Sequence, residues 1–383
     1  MVAGRPMSAQ RMEVPFFGLD RQFAQHREAF LAIAERVLSS GQVLQGPDVA
    51  KFERSLAAAC GRQHAVAMGS CTDALGFALM SCGIGPGDEV LVTGMSFIAS
   101  VSAVLRVGAT PRFVDIDPEY WQMDLQRAEK IVTARTKAIL AVHLYGQALP
   151  IAAWEQFAER HGCVLIEDAA QALGAKDENR PAGSMGKVSC VSFDPTKVIA
   201  AFGSAGALLT DDPQVARHAR MLRYHGRDPE TRAYEILGFN SQLSSETAAM
   251  LDFKLSKMGE WQRLRTCIAE VYLRALAGLP KVILPRVRPG GGHNWHKFVL
   301  RAGDRSRLAS ALKEAGVQTM VHYARTLADE PLIAKLKLPA EALELPEARR
   351  HAAEALSLPI FPELRLEEAN YVVEVIREFY GAN

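Results

Sequence analysis

Short apolar runs alternate along most of the chain with longer stretches whose apolar residues recur at helical spacing. Residues 65–68, 89–92, 111–114, 138–142 and 164–166 predict strands, and 97–107, 125–132 and 151–161 predict helices. Two further runs, 188–193 and 207–210, predict strands on either side of a Gly-rich stretch, Gly203 to Gly206. Such alternation predicts an α/β fold, a mostly parallel sheet covered by helices on both faces. Upstream, 30–38 reads as helix, and Gly46-Pro47 opens another whose Val49, Phe52 and Leu56 share one face. Residues 1–13 are polar and unpatterned and predict a mobile lead-in.

Residues 244–278 hold no Pro and no internal break except Gly259, so they predict one long helix or two in series. At about 1.5 Å per residue such a stretch spans ~50 Å, enough to connect two lobes. The domain boundary is placed there, giving a large domain at 1–250 and a smaller α+β domain at 251–383. In the latter, 295–300 and 317–321 predict strands, and 306–315 and 366–380 predict helices.

Asp194-Pro195 ends the 188–193 run, so Lys197 is delivered on a turn just past a strand's end. A free lysine titrates near ~10.4, but one desolvated among apolar neighbours loses its proton more easily and can attack an aldehyde to form a Schiff base. An ordinary loop lysine fits the same local sequence. Asp168 shifts the balance, because it follows the apolar run 163–166 at a strand's carboxyl end, where open α/β sheets bind ligands. A carboxylate there suits pyridoxal phosphate: it keeps the pyridine nitrogen protonated and makes the ring an electron sink. A helix N-cap would use the same residue. Between the 65–68 strand and a helix at 75–80, Gly69-Ser70-Cys71-Thr72 offers backbone N–H groups and hydroxyls to a phosphate, with plain Ser/Thr capping as the other reading. Cys71 at a helix start could be a nucleophile of lowered pKa; without a matching base in the local sequence, a tolerated small residue ranks ahead of it.

Asp168-Ala169-Ala170-Gln171, then Ser192-Phe193, two residues and Thr196-Lys197, resemble the signature of the DegT/DnrJ/StrS family of pyridoxal phosphate-dependent sugar aminotransferases. The similarity runs from Val14-Pro15-Phe16-Phe17 to Ser357-Leu358-Pro359-Ile360-Phe361-Pro362. It implies the type I transferase fold, with a mostly parallel seven-stranded sheet in the large domain. It also implies transfer of an amino group from an amino acid, in this family usually glutamate, to a keto-sugar carried on a nucleotide. Lys197 would hold the cofactor and then act as general base, Asp168 would face the pyridinium, and Gln171 and Phe97 would position the ring. Phe97 also fits a plain helix-face core residue. Ser192 with Ser70, Cys71 and Thr72 would fix the phosphate, although the family usually has glycine where Cys71 stands.

Asn240-Ser241-Gln242-Leu243 resembles a segment whose Asn reaches the neighbouring subunit's cofactor phosphate, and 19–23 resembles one that packs across a dimer. Together they imply a homodimer with shared active sites. His143-Leu144-Tyr145-Gly146-Gln147 and Arg223-Tyr224-His225-Gly226 match further family segments, though a lone strand-end His is more often structural. The chain departs from the family at Val198, Ser204, Ala205, Ala324, Arg325 and Ala328, changes that bear on the substrate pocket. Some relatives are sugar dehydratases that replace the lysine with histidine, which Lys197 argues against. A non-catalytic regulatory protein that binds the cofactor is the third reading.

The formal charge is +1 over 383 residues, with acidic and basic residues interleaved, which disfavours nucleic-acid binding. No run approaches ~20 apolar residues and the N-terminus lacks a signal peptide's apolar core, so a soluble cytoplasmic protein is expected. The six cysteines form no Cys-x-x-Cys pair, so neither a metal site nor a disulfide framework is expected. No Gly-x-Gly-x-x-Gly follows the first strand, which removes support for a dinucleotide fold.

Overall fold

The structure, a computed structural model, describes residues 11–336 and 338–381; residues 1–10 of the predicted 1–13 lead-in lie outside them. Seven apolar runs form strands β1 (His64–Met68), β2 (Glu89–Thr93), β3 (Thr110–Val114), β4 (Thr136–Val142), β5 (Val164–Asp168), β6 (Val188–Ser192) and β7 (Gly206–Thr210). They make one sheet in the order β1-β7-β6-β5-β4-β2-β3. The pairs from β3 to β6 are parallel, and β7 runs antiparallel between β6 and β1. Every residue of β2, β6 and β7 is buried, as strands covered on both faces require.

The reversal at β7 positions the site. The chain leaves β6 at Ser192 and returns through the Gly-rich loop, so Gly206 lies opposite Ser192 on one side and Met68 on the other. The turns that follow β1 and β6 therefore emerge side by side at the carboxyl end of the sheet.

The second lobe carries a three-stranded antiparallel sheet of β8 (Val282–Ile283), β9 (Phe298–Ala302) and β10 (Ala355–Leu358). Helices Arg305–Glu314 and Leu366–Phe379 cover it, with Leu300, Leu308, Leu312, Val372 and Ile376 in a common core. Residues 317–321 do not form the predicted strand. Val317 pairs with Val14 in a parallel bridge and Met320 with Ser357 in an antiparallel one, so the segment is divided between two partners and no ladder develops. Met12, inside the predicted lead-in, packs on this core.

Residues 244–278 form two helices, Ser245–Ser256 and Met258–Ala275, divided at Lys257 and not at Gly259. Trp261 of the second belongs to the large-sheet core, and Ile268, Ala269 and Tyr272 belong to the small-lobe core, so this one helix reaches both. The helix predicted at 97–107 begins at Ala99, leaving Phe97 ahead of it.

Candidate active site

The turn after β6 is built by Asp194. Its Oδ1 accepts hydrogen bonds from the Thr196 N–H at 3.0 Å and hydroxyl at 2.7 Å, and its carbonyl accepts from the Lys197 N–H at 2.8 Å. Asx turns of this kind let a short side chain replace the lost ladder bonds. The loop is closed by Ala201 N–H donating to Phe193 O at 2.7 Å, and the buried Lys254 Nζ donates to Ala200 O at 2.6 Å. Burial pushes the Lys197 pKa below the usual lysine range, opposed by Cys71 and by the charges of Asp168 and Asp194.

Asp168 is buried at the end of β5. Its Oδ1 accepts from Ala170 N–H at 3.1 Å, as a cap would, yet turns and no helix follow it. Its Oδ2 accepts from the Ser100 hydroxyl at 2.9 Å. Burial raises its pKa; the Ala170 and Ser100 bonds and the nearby Lys197 charge act the other way. Ser100 went unread in the sequence, where nothing distinguishes it from any other polar residue on a helix.

The preceding residue, Glu167, faces the opposite side of the strand, as a period of two dictates. It accepts from His143 Nε2 at 2.5 Å, Gly183 N–H at 2.7 Å, Met185 N–H at 2.8 Å and Ser189 Oγ at 2.5 Å. Burial would raise its pKa, but these bonds, His143 foremost, leave it lowered. His143 also accepts from Leu149 N–H through Nδ1 at 2.8 Å, so it is structural. A carboxylate inside the apolar 163–166 continuation was the available signal that Glu167 needs buried partners.

Ser70 caps helix Cys71–Ser81, its hydroxyl accepting from Asp73 N–H at 3.1 Å. Cys71 is buried and its thiol is pushed well up by desolvation, which removes the nucleophile reading. Thr72 stands partly exposed in the first turn. Ser192, opposite Gly206, accepts from Asp194 N–H at 3.3 Å. A Cβ on Gly206 would sit 2.2 Å from Cys71 N, so the Ser70–Cys71 backbone lies against β7 where only glycine fits.

Gln171 is buried; its Oε1 accepts from Tyr145 N–H at 2.9 Å, and its Nε2 reaches the Tyr323 hydroxyl at 3.5 Å. Tyr323 is also the ring neighbour of Phe97, with centroids 6.3 Å apart. Phe97 is 54% exposed, so it is no core residue. Tyr145 adopts a left-handed backbone at φ 60°, a conformation bulky residues hold only under constraint. Asn240 is exposed, its Oδ1 accepting from Gln242 Nε2 at 3.1 Å. Its neighbour Ser241 ties the segment to the Ser70–Thr72 turn, donating to Asp73 Oδ2 at 2.7 Å and accepting from Gly69 N–H at 3.2 Å.

These residues fit pyridoxal phosphate. Asp168 is a buried acid whose raised pKa a cationic ring nitrogen would reverse, Lys197 is an amine of lowered basicity, Phe97 offers an exposed ring, and the capped turn lies beside Ser192. Among the described residues no cluster of His, Cys, Asp or Glu could hold a metal, and no helix is long and apolar enough to cross a membrane.

A lysine and a buried carboxylate brought to the carboxyl end of this sheet, beside a smaller α+β lobe, define an α/β transferase of fold type I. The chain belongs to the DegT/DnrJ/EryC1/StrS aminotransferase family, whose profile matches residues 24–377. It is 40% identical over 371 residues to the dTDP-3-amino-3,4,6-trideoxy-alpha-D-glucose transaminase of Streptomyces venezuelae, covering 97% of each chain. It is also 40% identical to a pleiotropic regulatory protein of Geobacillus stearothermophilus, covering 96% of this chain and 99% of that one. Among solved structures, S. venezuelae DesV in complex with a ketimine intermediate superimposes with a TM-score of 0.93 at 39% identity, covering 97% of this chain and 99% of that one. NtdA of Bacillus subtilis with bound cofactor PMP gives a TM-score of 0.89 at 30% identity, covering 98% of this chain and 86% of that one.

Proposed function

We propose that this protein is a pyridoxal phosphate-dependent aminotransferase that moves an amino group from an amino acid, L-glutamate in the first instance, to a keto-sugar linked to a nucleotide. The observation that carries this reading is the placement of Lys197, Asp168 and the Ser70–Thr72 turn at one end of one sheet. The transaminase named among its relatives and the PMP-bound neighbour support it. When bound, the cofactor supplies an aldehyde for the amine and an electron-withdrawing ring. Lys197 Nζ would hold the cofactor at its aldehyde and, as an amine of lowered basicity, would move the proton at the donor's Cα. Asp168 holds the ring nitrogen's proton, with Ser100 fixing the carboxylate's rotation. Gln171 and Phe97 orient the ring, while Ser192, Ser70, Cys71 and Thr72 receive the phosphate.

The active unit in this reading is a homodimer whose Asn240 reaches the partner's phosphate site. Exposed Phe23, Leu31, Leu38, Val43, Leu44 and Phe202 supply apolar surface for such an assembly. A cavity of about 200 Å³ beside the Tyr224–Asn240 pairing is lined by Arg220, Arg223, Arg227 and Arg232 together with Asp228; Arg223 is paired with Glu53 at 2.6 Å, and the other arginines supply donors for phosphates. We take residues 1–250 and 251–383 as its two domains.

A second, non-catalytic reading draws on the regulatory relative. The deciding experiment is the half-reaction: the purified protein, loaded with pyridoxal phosphate, is mixed with L-glutamate and followed by absorbance. Loss of the visible band with release of 2-oxoglutarate supports catalysis, and an unchanged spectrum supports the regulatory reading. Borohydride reduction and peptide mapping should place the label on Lys197; a label elsewhere overturns the assignment.

A further inference from the structure

Lys297, one residue before β9, is 5% exposed, and among the described residues its amine has no hydrogen-bond or ion-pair partner. It stands instead over two rings of the N-terminal segment, 5.1 Å from the centroid of Phe16 and 4.6 Å from that of Phe17. A buried ammonium held only by aromatic faces is far from its hydrated reference state. Its backbone is fastened to the site, because Lys297 N–H donates to Tyr145 O at 3.2 Å, and Tyr145 N–H donates to Gln171. The Tyr145 hydroxyl donates in turn to the carbonyl of His322, whose ring stacks on Phe16 at 6.0 Å. Tyr145, strained as it is, therefore joins Gln171 on one side to Lys297 and His322 on the other.

We propose that Lys297 is the carboxylate receptor for the amino-acid donor. This rests on the aminotransferase reading above. Every amino donor of that class carries a carboxylate on the same carbon as its reacting amine, so the receptor must lie beside Lys197. Lys297 lies within the field of the Lys197 charge, and among the described residues the charged and titratable groups acting on or around it are the bases Arg265, His296 and His322 and the acid Asp194. Arg265 is already engaged by the carbonyls of Trp295 and Ile360 at 3.1 and 2.8 Å. Burial, with Lys197 and Arg265 nearby, holds the Lys297 pKa well below the usual range, a penalty that an arriving carboxylate offsets. The amine stands against the edge-to-face pair of Phe16 and Phe17 and, through Tyr145 and Gln171, close to the reacting end of the site, whereas the diphosphate of the acceptor lies a sugar ring away from the reacting carbon.

The test uses the intact enzyme with cofactor bound, comparing native protein with Lys297→Met, which keeps the stem's packing, and Lys297→Arg, which restores the charge. Half-saturation for L-glutamate should rise about 10- to 100-fold in Lys297→Met, the loss expected of one charge-assisted hydrogen bond, with the limiting rate far less affected. Lys297→Arg should recover part of the loss, and calorimetric affinity for dTDP and UDP should stay within about twofold of native. A 4-aminobutyrate probe, lacking the α-carboxylate, should react equally with native and variant. Unchanged glutamate half-saturation in a folded Lys297→Met protein would sink the proposal. Lost dTDP or UDP affinity would instead assign Lys297 to the acceptor's diphosphate. If Lys297→Met does not fold, Lys297→Gln carries the same comparison. Should native enzyme turn over no amino acid at all, the aminotransferase reading itself fails first.

Discussion

Gly206→Ala tests how the fold builds the phosphate turn. The added methyl would lie 2.2 Å from Cys71 N, 2.5 Å from Ser70 C and 2.6 Å from Cys71 Cα, all backbone atoms that no rotamer change can clear. Relief requires β7 and the Ser70–Cys71 turn to part by roughly an ångström, whereas overpacked cores usually yield at a cost of ~1–3 kcal/mol. β7 cannot move freely, because Gly206 is paired to both Ser192 and Met68. The turn should therefore give way, withdrawing donors from the phosphate. For the large lobe a loss of about 2 kcal/mol corresponds to a fall of roughly 4–8 °C in its unfolding transition. Loss of one or two charge-assisted hydrogen bonds should weaken cofactor binding about 10- to 100-fold. Cofactor-free protein is titrated with pyridoxal phosphate by absorbance and melted with and without it. Gly259→Ala serves as control: nothing lies within 4 Å of its added methyl, and in a helix the change should be neutral or stabilising by up to about 1 kcal/mol. Native affinity and native melting in Gly206→Ala would refute the argument that this glycine sets the turn's position.

Asp168→Asn should keep some cofactor but slow the glutamate half-reaction by orders of magnitude in single-turnover absorbance; near-native turnover would reduce Asp168 to a turn-former. Inactive Lys197→Ala chains co-refolded with Asn240→Ala chains should regain activity, since a shared-site dimer places both defects in one site and none in the other; no recovery, with mixed dimers demonstrated, counts against the cross-subunit role. Glu368, buried between Arg21 at 2.7 Å and Arg365 at 3.1 Å, has its pKa held at about 2 against an ordinary 4.5, because these partners outweigh desolvation. A depressed acid contributes stability that is complete above pH ~4.5 and lost as pH falls towards ~2, here up to about 3 kcal/mol. Glu368→Gln should flatten that part of the acid-unfolding curve; an unaltered curve would show that the cluster holds nothing.

The sheet was legible in the sequence because its strands are short apolar runs bounded by turn residues. Asp168 and Lys197 each end an apolar run, and the Ser70–Thr72 turn separates a strand from a helix, so the three segments proposed as the site could be picked out before the sheet brought them to one end. Residues that act through distant partners were not readable. Lys297 meets Phe16 and Phe17 only after the small lobe folds onto the N-terminal segment, and Ser100 reaches Asp168 across a crossover. The 317–321 error has the same origin: its β-branched Val317, Thr319 and Val321 favour a strand, but Val14 and Ser357 claim different ends of it. The helix break at Lys257 escaped notice because glycine was the only visible interruption, and packing of Trp261 and Tyr272 into two cores outweighed that propensity.

Glu167 and Asp168 are adjacent in sequence and both buried, yet only one has its needs met within the chain. Glu167 is saturated by four donors that lock β5 to its surroundings, whereas Asp168 keeps a raised pKa. Anchorage and reactivity are thus divided between the two faces of one strand. All four donors around Glu167 come from the polypeptide itself, so that face of β5 is fixed by the chain alone, while the Asp168 face is left to answer to whatever charge is placed against it.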